Sequence, residues 1–225
     1  MAVIQDGTTE AVASVAEGIA SALHIVAKPQ PYGDNGHYQV AIQTGLIGAG
    51  LASNAELFQF RWTNTARSAH ITRVMVTGMR SSGFDVGGID LKLTRATSWT
   101  AAGTGGTSLT LSAPNFTLRQ GEMDLTGVAD LRIATTVALG AGTKTLDTYD
   151  HGQITSHSSA GWVIATPIVG SVYLPTLDLF RADLGSGEHP LSLDAYDGFV
   201  VRAVVPGTGA WNLGLLVKWS EPAEF

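Results

Sequence analysis

The residues of this chain that could do chemistry gather in its second half. Asp147, Asp150, His151 and His157 lie close together in sequence, and imidazoles with carboxylates can hold a zinc ion. Their spacing fits no ligand signature, and a solvated loop would have the same composition. Ser156-His157-Ser158-Ser159 sets hydroxyls beside an imidazole. A nucleophilic serine, however, needs a base and an orienting acid that meet it in space, which neighbours in sequence do not supply. No G-x-S-x-G elbow occurs in the chain. Gly140-Ala141-Gly142-Thr143-Lys144-Thr145 looks faintly like a phosphate loop, but Thr143 separates the glycine from the lysine where the P-loop needs them adjacent. It reads better as a hairpin turn. Asp178, Asp183, Glu188, Asp194 and Asp197 could in principle furnish paired carboxylates for glycoside cleavage; loop solvation is the plainer account. These residues define no catalytic, cofactor-binding or metal site. The chain is expected not to be an enzyme and to carry no cofactor.

The five tryptophans divide into two groups. Trp62, Trp211 and Trp219 fall on alternating apolar runs and are expected in a core. Trp99 and Trp162 sit beside Gly-, Thr- and Ser-rich stretches, where an exposed aromatic would mark an interface or a platform for a sugar.

Those residues must be held by strands. In Leu57–Thr63, Phe58, Phe60 and Trp62 share one face, and Gln59, Arg61 and Thr63 the other. Ile89, Leu91 and Leu93 alternate with Asp90, Lys92 and Thr94, and Trp211, Leu213, Leu215, Val217 and Trp219 again share a face. Side chains on a strand point to opposite sides in turn, so each run has one buried and one wetter face. Residues 71–79, 164–174 and 199–205 are rich in β-branched residues, as central strands are. Glycine-rich turns recur at residues 87–88, 103–106, 140–142, 185–187 and 207–209. The chain is therefore expected to be all-β: a single antiparallel β-sandwich or jelly-roll-like domain over 32–225, with long loops around 98–159. Residues 1–31 form an N-terminal arm and linker, the latter marked by Pro29, Pro31, Gly33 and Gly36. Val12, Val15, Ile19, Ala22 and Leu23 recur at spacings of three and four, which predicts a short helix with one apolar stripe.

Composition narrows the function. Of the 225 residues, 44% are hydrophobic and only 14% charged, with a formal net charge of −6 and no cysteine. Ordinary soluble domains carry about 25% charged residues, so this surface suits a molecule partly covered by neighbours. There is no basic cluster for nucleic acid and no apolar run of the roughly 18 residues that a membrane helix needs. The N-terminus lacks the pattern of a secretory signal.

Several blocks resemble a group of tailed-bacteriophage virion structural proteins encoded among head and tail genes. They are Phe58-Gln59-Phe60-Arg61-Trp62-Thr63, Lys144-Thr145-Leu146-Asp147, Ala165-Thr166-Pro167-Ile168, Tyr173-Leu174-Pro175, and Gly198-Phe199-Val200-Val201-Arg202-Ala203 with Trp211 and Trp219. The resemblance implies a structural part of a virus particle and transfers no binding or catalytic residue. It leads to the expectation of a capsid decoration or minor head protein, located in the virion. Such a protein would be homo-oligomeric and would contact copies of itself and other virion proteins, above all the major capsid protein. The contacts are expected at Val12, Val15, Ile19 and Leu23 of the arm and at Trp99 and Trp162. A tail-associated adhesion module binding a cell-surface glycan is the alternative.

Overall fold

The computed structural model describes residues 3–5, 12–14, 37–48, 50–82, 87–109, 117–119, 129–158, 173–174, 176–182 and 189–221. Among them there is no helix, and every strand pair is antiparallel. The chain divides into two compact units, Met1–Gln30 and Pro31–Phe225.

In the first unit, β1 (Val3–Gln5) pairs with β2 (Val12–Ser14), with Ile4 opposite Ala13 and Gln5 opposite Val12. At Val12 this corrects the expected helix. Val12 lies on a strand, because β-branched Val3, Ile4 and Val12 favour a pleated backbone and a partner strand supplies the cross-chain hydrogen bonds. A three-and-four spacing carries no information about that partner. Val15, Ile19, Ala22 and Leu23 lie outside the described residues.

The second unit holds the remaining strands. They are β3 (His37–Gln43), β4 (Ile47–Gly48), β5 (Ala55–Trp62), β6 (Ala69–Ser82), β7 (Gly87–Ala101), β8 (Thr107–Leu109) and β9 (Thr117–Arg119). There follow β10 (Ala129–Ile133), β11 (Thr143–Leu146), β12 (Gly152–Ser158), β13 (Tyr173–Leu174), β14 (Leu177–Arg181), β15 (Leu191–Leu193), β16 (Gly198–Val204) and β17 (Ala210–Ser220). In sheet I, β17 runs between β6 and β3. β9 lies beyond β3, β4 also borders β17, and β13, β14 and β15 succeed one another along the far edge of β6. In sheet II the order is β11 and β12 on one edge of β7, then β16, β5, β10 and β8. With β4, β8, β9 and β10 set aside, and with β11–β12 and β13–β15 each counted as one position, the side-by-side order is first, eighth, third, sixth in sheet I and second, seventh, fourth, fifth in sheet II.

The two sheets pack face to face through the alternating residues of the sequence. Phe58, Phe60 and Trp62 of β5, Ile89, Leu91 and Leu93 of β7, and Trp211, Leu213, Leu215, Val217 and Trp219 of β17 are all fully buried in one core. Phe60 of sheet II stacks on Phe199 at 5.3 Å and meets Trp219 of sheet I edge-on at 5.4 Å. That edge-to-face geometry is the one preferred by ring quadrupoles. Tyr38 stacks on Trp219 at 5.5 Å. Residues 98–159, expected as long loops, contain the end of β7 and five further strands. Short Thr-rich segments pair along sheet edges there, where a partner strand matters more than local composition.

Candidate functional site

The outer face of sheet II carries most of the polar chemistry of the described residues. Register places its residues in cross-strand rows: Asp130, Arg61, Gly198, Ala96 and Leu146 in one, and Arg132, Gln59, Val200 and Thr94 in the next. A third row contains Glu56, Arg202, Lys92 and Gln153. The segment between β10 and β12 folds over this face. Backbone bonds from Ala134 to Leu57, from Leu139 to Glu56 and from Asp147 to Arg95 hold it there. Gly103 and Gly140 permit the approach, since a Cβ on either would collide with the opposing chain.

Trp99 is the centre of the covered region. Strict alternation along β7 would point it inward with Leu91 and Leu93. Ser98 has a left-handed backbone (φ 52°), which breaks the alternation, and Trp99 instead joins Ala96, Val200 and Leu146 in a small second core. It lies against Gly198, where a Cβ would stand 2.8 Å from its ring. Its indole N–H donates to the Ala101 carbonyl at 3.0 Å. The expectation of an exposed contact residue is therefore corrected: Trp99 is 0% exposed. Trp162 lies outside the described residues.

Beside Trp99 a lysine, a carboxylate and a carboxamide meet. Lys144 Nζ is 2.8 Å from Glu56 Oε2 and 4.4 Å from the centre of the Trp99 ring, and it also donates to the Ala141 carbonyl. Gln59 Nε2 donates to the same Glu56 Oε2 at 2.6 Å and to the Gly140 carbonyl at 3.0 Å. The side chains of Lys144 and Glu56 are only 2% and 8% exposed. Loss of water around the ammonium lowers the Lys144 pKa, and the Glu56 carboxylate pulls it back only in part. The turn read from Gly140–Thr145 is thus a clasp, not a phosphate loop.

A second cluster adjoins it. Asp150 accepts from Thr94 Oγ1 at 2.5 Å and from Arg202 at 2.7 Å, with Lys92 at 4.0 Å. Partial burial works to raise its pKa, but those hydrogen bonds and cations outweigh it and the carboxyl titrates below its ordinary value. His151 turns away to Asp147 at 3.2 Å. Among the described residues no group of three or more His, Asp or Glu could hold a metal ion. Asp178 pairs with Arg73 at 2.6 Å and Asp197 with Arg95 at 2.6 Å, while Asp183 and Glu188 lie outside the described residues.

A second buried acid, Glu221, follows the end of β17. It is 0% exposed. Burial raises its pKa to about 8, against weaker opposing pulls from the Trp219 indole and the Arg67 guanidinium.

Four large hydrophobic side chains stand exposed among the described residues: Leu46, Val137, Tyr149 and Tyr196. Leu46 and Val137 lie on two turns tied together, since Gly45 N–H donates to the Ala134 carbonyl and Gly45 packs on Thr135. They are 64% and 61% exposed. Sequence reading passed over both. The only signal was the position of Leu46, out of phase with buried Ile47.

No protein-family model matches this chain, and no curated protein matches it closely enough to assign a relative.

Proposed function

We propose that this chain is a structural component of a tailed-bacteriophage particle, a capsid decoration or minor head protein. It acts by burying surface against copies of itself and against the main shell protein. The observation that carries the reading is the strand order. First-eighth-third-sixth over second-seventh-fourth-fifth, once the extra edge strands are set aside, supports the winding of a jelly roll, an architecture used by viral capsid subunits and by lectins. A fold alone does not fix a function, so the reading also leans on composition: at 14% charged residues, the surface suits contact with neighbours.

The N-terminal unit supplies the mechanism. β1 pairs only with β2 among the described residues, and an isolated two-stranded hairpin is at best marginally stable in water. It gains stability by adding to the sheet edge of another molecule. Leu46 and Val137 offer a second contact. A chain starting at Pro31 keeps the whole aromatic core and is expected to fold but to be lost from particles in a complementation assay. Normal incorporation of the shortened chain would contradict the mechanism.

A second reading rests on Tyr149, which is 83% exposed, next to Asp150 and two residues from Asp147. An aromatic with adjacent carboxylates is a sugar-binding arrangement, as a tail adhesion module would need. A glycan array that yields no ligand for the wild-type chain removes it.

A further inference from the structure

We propose that Lys144, Glu56 and Gln59 form an intramolecular isopeptide site, in which the Lys144 amine attacks the Gln59 carboxamide and ties β11 covalently to β5. The geometry carries this. One oxygen, Glu56 Oε2, touches both the nucleophile, Lys144 Nζ at 2.8 Å, and the leaving nitrogen, Gln59 Nε2 at 2.6 Å. A single carboxylate in contact with both groups can take a proton from one and hand it to the other. Holding three groups together in this way turns a sluggish bimolecular aminolysis into a unimolecular step.

The surroundings fit the chemistry. The amine must lose its proton to become a nucleophile, and burial of the Lys144 side chain favours the neutral form. Trp99, against which the amine rests, is fully buried and Gly103 beside Gln59 is buried too, which limits the water that would otherwise compete as nucleophile. Gly103 leaves room for the amide oxygen of Gln59, which lies 2.0 Å from where a Cβ would stand.

The step balances without an oxidant or cofactor. Lys144 begins as an ammonium and passes a proton to Glu56. The amine then adds to Cδ of Gln59, and Glu56 delivers that proton to Nε2 as the Cδ–Nε2 bond breaks. The new Nζ–Cδ amide sheds the second proton onto the departing ammonia, which leaves as ammonium. Glu56 returns to a carboxylate. The inference stands apart from the particle reading above, because it concerns the chain alone.

Intact-mass spectrometry of the purified, denatured full-length chain tests it, followed by fragmentation of its tryptic peptides. The expected result is a mass one ammonia below that of the sequence, with the peptide containing Gln59 joined to the one containing Lys144. A full mass overturns the proposal, as does an ammonia loss mapped to other residues. A loss of one water with Lys144 joined to Glu56 would overturn Gln59 as the acceptor. K144R should have the full mass. E56Q, confirmed as folded by circular dichroism, should also retain its ammonia; a folded E56Q that still crosslinks would overturn the role given to Glu56.

Discussion

The outer face of sheet II and the end of β17 both bury a glutamate, and they handle it in opposite ways. Glu56 lies between a lysine and a carboxamide, each within hydrogen-bond distance. Glu221 is fully buried too, but the Trp219 indole and the Arg67 guanidinium offset its burial only in part, and its pKa rises to about 8. The difference shows what burial costs. A buried charge is tolerable when opposite charge and hydrogen bonds replace the lost water, and where they do not, the acid keeps its proton. The first site is therefore a fixed clasp on the sheet, and the second is sensitive to pH.

Breaking the clasp should have a large effect at any pH. Trp99→Ala empties the small second core and should cost about 3–5 kcal/mol in urea unfolding. A near-neutral result would mean that Trp99 is on the surface after all. Gly198→Ala attacks the same contact from beneath, since its Cβ would meet the Phe60 carbonyl at 2.2 Å and the Trp99 ring at 2.8 Å. Overpacking of that kind costs roughly 1–3 kcal/mol.

The Glu221 side of the comparison is tested by pH. Its folded-state value of about 8 lies above the ordinary 4.5, so the folded chain holds this proton more tightly than the unfolded chain. The stability it contributes is complete below 4.5 and is lost as pH rises through 8. Glu221→Gln removes the titration. The wild type should lose about 1.4 kcal/mol per pH unit relative to this variant across that window, as read by chemical denaturation at several pH values. Parallel curves for the two proteins would show that Glu221 is solvated. The smallest effect is expected at the half-exposed Arg73–Asp178 pair, where Arg73→Ala should cost no more than about 1 kcal/mol, and less in high salt.

The sandwich itself was legible in the sequence, because Phe58-Phe60-Trp62, Ile89-Leu91-Leu93 and Trp211–Trp219 alternate with the period of a strand and pack against each other as that period requires. The hairpin of the first unit was not, since Val12 fits a helical stripe as well as a strand and only pairing with Gln5 decides between them. Trp99 was misread for a related reason. Its neighbours in sequence are small and polar, but its cover comes from Lys144 and Leu146, more than forty residues away, and its direction from the unusual backbone of Ser98. The clasp shares that origin: Glu56, Gln59 and Lys144 carry no spacing signature, because their meeting depends on how the segment before β12 folds back over the sheet.

The reading of this chain as a particle component is tested most directly by quantitative mass spectrometry of density-purified phage particles from the genome that encodes it. Peptides of this chain should be present in fixed ratio to the main shell protein, near equality for a decoration role and at a few copies for a minor head position. Their absence from clean particles would contradict the account.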